Sequence, residues 1–285
     1  MTETRQRLPE WLKRGIVDTD KTRLVRDVLR EKNLNTVCDS ARCPNKNECY
    51  CNKTATFMIL GNTCTRNCRF CAINTGIGEK LNAEEPKNVA IASKELCLEY
   101  VVITSVTRDD LKDGGAKHFS DTIKEIRNID KNIKVEVLTP DFKGQKELID
   151  IVIEANPDVF NHNVETVERL YKEVRPQANY ERSLEFLRYI KSQNPEIKTK
   201  TGLMVGLGET FDELEQTFKD LSSINCDIVT IGQYIQPTKN NIAVKRYLKP
   251  EEYKELEVLA QHSGIKYTFF GPLVRSSYKA REVFD

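Results

Sequence analysis

Residues 55–71 read ATFMILGNTCTRNCRFC. The first six are an apolar run of aliphatic, aromatic and β-branched residues, with the length and composition of a strand buried on both faces. Gly61 then marks the exit into a loop. Cysteines follow at 64, 68 and 71. Three thiols are therefore predicted on a loop at the C-terminal end of a strand. In a β/α barrel, chemistry gathers at that end.

Downstream of this stretch the same kind of run recurs: YVVITSV (100–106), KVEVLTP (134–140), VFNHNVE (159–165), TGLMVGL (201–207), DIVTIGQY (227–234) and YTFFGPL (267–273). Amphipathic segments lie between them, and helices are predicted over 116–128, 145–155, 181–193, 211–223 and 251–262. Thr210 before an acidic turn and Pro250 at a first-turn position are helix-entry signals. Six or seven repeated βα units imply an α/β fold with a parallel sheet, because each crossover is long and right-handed. Rolled up, that is a full or partial TIM-like (β/α) barrel; an open doubly wound sheet has the same periodicity. The barrel is expected over 54–273, with an N-terminal extension (1–53) and a C-terminal tail (274–285). Within the extension, residues 22–32 read as a helix, Trp11 as an anchor held by burial, and residues 37–51 as an aperiodic, cysteine-rich segment.

Composition narrows the function. The chain has 285 residues, 39% hydrophobic and 31% charged, with a formal net charge of +1. A nucleic-acid binder usually carries a concentrated basic excess, so none is expected. Residues 1–14 have no apolar core of a secretory signal, and no run approaches the roughly 18 apolar residues that span a bilayer. No membrane association and a cytoplasmic location are expected. Seven of the nine cysteines fall between Cys38 and Cys71. In a reducing compartment, in a chain long enough to build its own core, such a cluster points to metal rather than disulfides.

The spacing of Cys64, Cys68 and Cys71 lacks the paired CxxC pattern of structural zinc and the run used by bacterial ferredoxins. Three thiolates hold three irons of a cubane and leave the fourth open. CxxxCxxC with an aromatic, here Phe70, before the last cysteine resembles the signature of the radical S-adenosylmethionine (SAM) superfamily. That resemblance implies that SAM chelates the open iron. One electron then cleaves its sulfonium, releasing a 5′-deoxyadenosyl radical able to take hydrogen from an unactivated C–H bond.

Upstream, VCDSARCPNKNECYC (37–51) carries Cys38, Cys43 and Cys49 at ligand-like spacing, arguing for a second cluster. Cys51 can replace Cys49 or act as a fourth ligand, as far as spacing goes. Together with Arg275-Ser276-Ser277-Tyr278 near the C-terminus, this pattern resembles the lipoyl synthase family. Blocks of similarity run from RLPEWLKRGI through YVVITSVTRDDLKDGGAKHF, PDVFNHNVETV, VRP (174–176), GLMVGLGET and GQYIQP. The resemblance implies two [4Fe–4S] clusters. One, on Cys64, Cys68 and Cys71, generates the radical; the other, on Cys38, Cys43 and Cys49 with Ser277 at its fourth iron, gives up sulfur. An alkoxide is a harder donor than thiolate and exchanges more readily, which suits a cluster that is taken apart. Taken without the family, Ser276 and Ser277 read as a polar turn.

The implied reaction of this sulfurtransferase family is insertion of two sulfurs at C6 and C8 of a protein-bound octanoyl group. Its partners are an octanoylated lipoyl carrier domain or glycine-cleavage H protein, and a reduced ferredoxin or flavodoxin-type electron donor. In that setting Asn161 and Asn163 suit ribose hydroxyls, and Arg175 suits a carboxylate. Thr104, Ser105 and Glu165 suit other polar parts of SAM. Each of these is equally able to serve as a cap or structural hydrogen bond. His162 reads as structural or functional, and Arg108–Asp110 as a solvated turn. Cys97, in a helix candidate, and Cys226 read as small buried hydrophobes. Gly202, Gly206 and Gly208 read as places of close approach or tight turns.

Overall fold

The computed structural model describes residues 7–13, 20–40, 43, 45–51, 53–278 and 284. Seven parallel strands form its frame: β1 (Thr54–Ile59), β2 (Tyr100–Ser105), β3 (Lys134–Leu138), β4 (Val159–Asn161), β5 (Lys198–Val205), β6 (Ile228–Gln233) and β7 (Tyr267–Gly271). They pair in chain order, each with its successor. A doubly wound sheet reverses its order at a switch point; this one never reverses, so the barrel reading holds. β1 and β7 do not pair. The free edge of β1 instead takes a two-residue antiparallel segment, Asn35–Thr36, while β7 ends the sheet on the other side. The barrel is partial, with a seam between its first and last long strands.

Helices α1 (Glu85–Glu95), α2 (Ala116–Ile129), α3 (Lys146–Ile153), α4 (Tyr180–Gln193), α5 (Phe211–Ser223) and α6 (Pro250–His262) follow β1 to β6 in turn. Thr210 and Glu213 exchange side chain-to-backbone hydrogen bonds in a capping box that starts α5. Pro250 opens α6. α1 corresponds to a helix candidate read around Cys97 without bounds; it ends before that residue, with Pro86 in its first turn and Asn82 accepting from the Glu84 N–H just ahead. The helix foreseen over 22–32 spans Asp20–Glu31, and the cysteine-rich segment contains two short helices, Val37–Ser40 and Lys46–Cys51.

Inside the barrel, fully buried Glu136 accepts from Lys200, Tyr100 and Asn161, so a charge on β3 is met from three neighbouring strands. Phe284 packs below it against Tyr100, with ring centroids 6.1 Å apart.

Three expectations need correcting. Trp11 is 41% exposed and anchors nothing by burial; Leu12 beside it is the buried residue. Cys97 is exposed, in a left-handed turn (φ 50°) after α1. Arg108 is buried rather than solvated: it donates to the Leu60 carbonyl, which caps the end of β1, and pairs with Asp110 at 2.9 Å. Cys226 is buried as expected.

Candidate active site

A cavity of about 770 Å³ opens at the C-terminal ends of the strands. Cys64, Cys68 and Cys71 line it, and so do Cys38, Cys43, Cys49, Ser276 and Ser277. Thr104, Ser105, Asn163, Glu165 and Arg175 are in the same wall. Cys51 is exposed and does not line the cavity, so Cys49 is the better placed of the two. Among the described residues, no three His, Cys, Asp or Glu side chains converge as they would around one metal ion.

The first cysteine loop is held from four sides. Thr65 donates to the Thr107 carbonyl past β2 and accepts from the Asp109 N–H. The Asn67 N–H donates to Gln177, and the Arg69 N–H to the Val174 carbonyl. Asn241 donates to the Cys71 carbonyl at 2.7 Å. Arg66, inside the motif, is buried and bridges two acids, Asp109 and Asp141, each at 2.7 Å. Asp141 also takes Arg182 from α4. This ionic clasp fixes the loop relative to β2, β3 and α4.

The loop also supplies its own donors to sulfur. The Arg66 N–H points at the Cys64 Sγ (3.4 Å) and the Ile73 N–H at the Cys71 Sγ (3.5 Å). Burial pushes the Cys71 thiol up to about 11, and it raises Cys68 too, against the pull of Arg175. Metal binding must displace those protons, which makes loading pH-dependent.

The second triplet lies over the seam. Thr36 donates to the Thr56 carbonyl of β1 and accepts from the Cys38 N–H. On the other side the C-terminal segment crosses β6 at Gly232, where an added Cβ would stand 1.9 Å from the Val274 carbonyl oxygen. Two bonds join the edges: Asn45 donates to the Leu273 carbonyl (2.6 Å), and Tyr278 donates to Glu48 (2.9 Å). Cys43, Cys49 and the Ser276–Ser277 pair are thus brought to one wall by residues more than 220 positions apart.

The cavity wall contains buried polar atoms with no hydrogen-bond partner among the described residues: Ser105 Oγ, Thr139 Oγ1, Asn163 Oδ1, Arg175 Nε and Asn45 Oδ1. Buried polar atoms are rarely left unpaired, so these are donors and acceptors awaiting a polar ligand. Arg175 is fixed by donating to the Asn163 and Val164 carbonyls, and Asn163 donates to Glu165. Glu165 itself adopts φ 67°, held there by backbone bonds to Gly202 and Met204 of β5. Such strain is a mark of functional sites. Gly202 carries no side chain to crowd Asn163 Oδ1, which lies 2.9 Å from where a Cβ would be. The residues present fit a cluster on each triplet and a polar, zwitterionic cofactor beside the first.

Of the FNHN block, His162 and Asn163 line the cavity and Asn161 does not. The Asn161 Nδ2 donates to Glu136, while its Oδ1 is buried with no partner among the described residues. His162 is buried between the Thr139 carbonyl and Ser183 Oγ, a structural role. The residues that sequence reasoning missed are Arg66, Asp109, Asp141 and Arg182, none of which has a spacing that announces its partner.

Residues 58–221 match the family profile of the radical SAM superfamily. The chain is 54% identical over 274 residues to the lipoyl synthase of Caldanaerobacter subterraneus subsp. tengcongensis, covering 96% of each. To that of Alkaliphilus metalliredigens it is 47% identical over 280 residues, covering 98% of this chain and 97% of the other. Among solved structures it resembles methylornithine synthase (TM-score 0.57, 13% identity, 92% of this chain and 83% of the other). It also resembles a maturase of the [FeFe]-hydrogenase (TM-score 0.53, 13% identity, 94% and 65%), a likeness of fold alone. With near-complete coverage by relatives about half identical, and with both cysteine triplets facing one cavity at the mouth of a partial barrel, the chain belongs to the lipoyl synthase family of the radical SAM superfamily.

Proposed function

We propose that the chain inserts sulfur at C6 and C8 of an octanoyl group amide-linked to a lysine of a carrier domain. Cys64, Cys68 and Cys71 hold the catalytic [4Fe–4S] cluster, and Cys38, Cys43, Cys49 and Ser277 hold the cluster that is the sulfur donor. The observation that carries this reading is the shared cavity: Cys64, Cys68 and Cys71 would hold the radical-generating cluster, and Cys38, Cys43 and Cys49 the sulfur donor, in one lining, so that a substrate carbon stripped of hydrogen there would have sulfur within the same cavity. When bound, the first cluster and SAM supply a 5′-deoxyadenosyl radical by one-electron cleavage of the sulfonium.

The chain's own residues bind and orient. Arg175, anchored on two carbonyls, presents its remaining N–H groups to a carboxylate. Ser105, Asn163 and Glu165 meet amine and hydroxyl groups, and Thr104 lines the floor beside them. Met58, Leu138 and Met204 provide the apolar surface an acyl chain needs. A carrier domain must reach the open mouth, and a reduced ferredoxin or flavodoxin-type protein is the expected electron source.

The test is mass spectrometry of an octanoylated carrier peptide after anaerobic turnover with SAM and a reductant. Two sulfur additions with loss of hydrogen, and 5′-deoxyadenosine as co-product, are expected. SAM cleavage with no sulfur on the peptide, from protein carrying about eight irons per chain, refutes the reading.

A further inference from the structure

We propose that Arg275 is the charge partner of the second iron–sulfur cluster, a positioning residue that offsets the negative charge of the sulfur-donating centre. The inference rests on the two-cluster reading above and adds a residue to it.

The two triplets differ in how their nearby cations are met. Arg66, in the first loop, is neutralised by Asp109 and Asp141. Arg275, in the cavity wall beside Ser276 and Ser277, has no such partner among the described residues. Among the described residues its guanidinium forms no ion pair, and the one hydrogen bond it donates is from Nη1 to the carbonyl of adjacent Val274, at 2.7 Å. The guanidinium sits against β6 where Gly232 leaves room: a Cβ there would stand 3.1 Å from Arg275 Nη1.

A half-buried guanidinium in a cavity wall, with no carboxylate beside it among the described residues, is stabilised by a counter-charge. A [4Fe–4S] centre bound by three thiolates and an alkoxide supplies one, since its ligand charges exceed that of its core. Arg275 lies two residues before Ser277, in the lining of the cavity that also includes Cys43. Its planar fork of donors also suits hydrogen bonds to sulfur. Net charge and hydrogen bonds to the sulfurs are among the terms that set a cluster's potential.

Arg275→Gln and Arg275→Lys variants of the full chain test this, with iron content, thermal unfolding and an EPR-monitored redox titration as readouts. In the metal-free protein, Arg275→Gln removes an uncompensated charge, so its Tm rises. In the loaded protein the same substitution lowers the Tm. It also shifts the second cluster's potential to more negative values, leaving the first cluster's potential unchanged. Arg275→Lys keeps the wild-type direction of each effect. Loss of about four irons in the Gln variant, restored in the Lys variant, carries the same meaning. An unchanged second-cluster potential in an Arg275→Gln protein holding about eight irons overturns the assignment, as does a metal-free Gln variant that is less stable than wild type. Wild-type protein with only about four irons removes the second cluster itself, and the arginine's role with it.

Discussion

Asp141 sits between two guanidiniums, and burial alone would push its carboxyl up; the hydrogen bonds and charge of Arg66 hold it well below the usual carboxylate range instead. A carboxyl depressed in the folded state contributes stability above its unfolded pKa of about 3.9, and loses it as pH falls through the folded value. Removing one partner of a buried ion pair costs about 3–5 kcal/mol. Arg66 retains Asp109, so Asp141→Asn is expected at the lower end, about 3 kcal/mol by urea unfolding of the metal-free protein at pH 7. His162 titrates in a separate window. Burial lowers it to about 4, so between the unfolded value of about 6.5 and that point the unfolded chain binds the extra proton. Stability therefore falls on acidification, by about 2 kcal/mol between pH 7 and pH 5 at 1.36 kcal/mol per pKa unit. His162→Gln, which can keep bonds to Thr139 and Ser183, should lose that share of the slope; equal slopes in both proteins would mean His162 is not held neutral.

At the scale of elements, the short stretch around Gly232 decides whether the tail reaches the second triplet. In Gly232→Ala the added methyl collides with backbone at Val274, and backbone cannot swing aside as a flexible side chain does. The tail shifts, and the Asn45–Leu273 and Tyr278–Glu48 clasp opens with it. The expected protein is folded, retains about four irons, lacks the other four, and is cut near residue 274 in limited proteolysis. Full iron content would show that the clasp closes by another route. The strands and the barrel helices, five of them with bounds, were legible in sequence because apolar runs and capping residues are local signals. Closure against an open sheet was not legible, since both have the same period; strand order settles it. Cysteine spacing disclosed both triplets. The Arg66–Asp141 clasp stayed hidden because it joins positions 75 apart through pairing that leaves no local pattern. In the FNHN block a two-residue alternation marks which side chains share a face, but not that the Asn161 amide N–H meets Glu136.

For the whole molecule, the two terminal segments close the seam that the barrel leaves between β1 and β7, and in doing so they build the second half of the site. The barrel's own first loop, by contrast, is pinned mainly by residues that follow β2, β3, β4 and β6, with one bond from the N-terminal extension, Asn62 to Asn35. The two halves should therefore fail separately. Cys43→Ala removes a ligand from the seam side and leaves the Arg66 clasp and the Asn241 bond to Cys71 in place. This variant should still cleave SAM to 5′-deoxyadenosine while transferring no sulfur. Cys68→Ala should do the reverse, retaining the iron of the seam-side cluster with no SAM cleavage. Anaerobic reconstitution, iron and sulfide analysis, and chromatography of the nucleoside product read both variants. Lipoylated product from Cys43→Ala, or cleaved SAM from Cys68→Ala, would mean that the roles are not divided between the barrel loop and the seam.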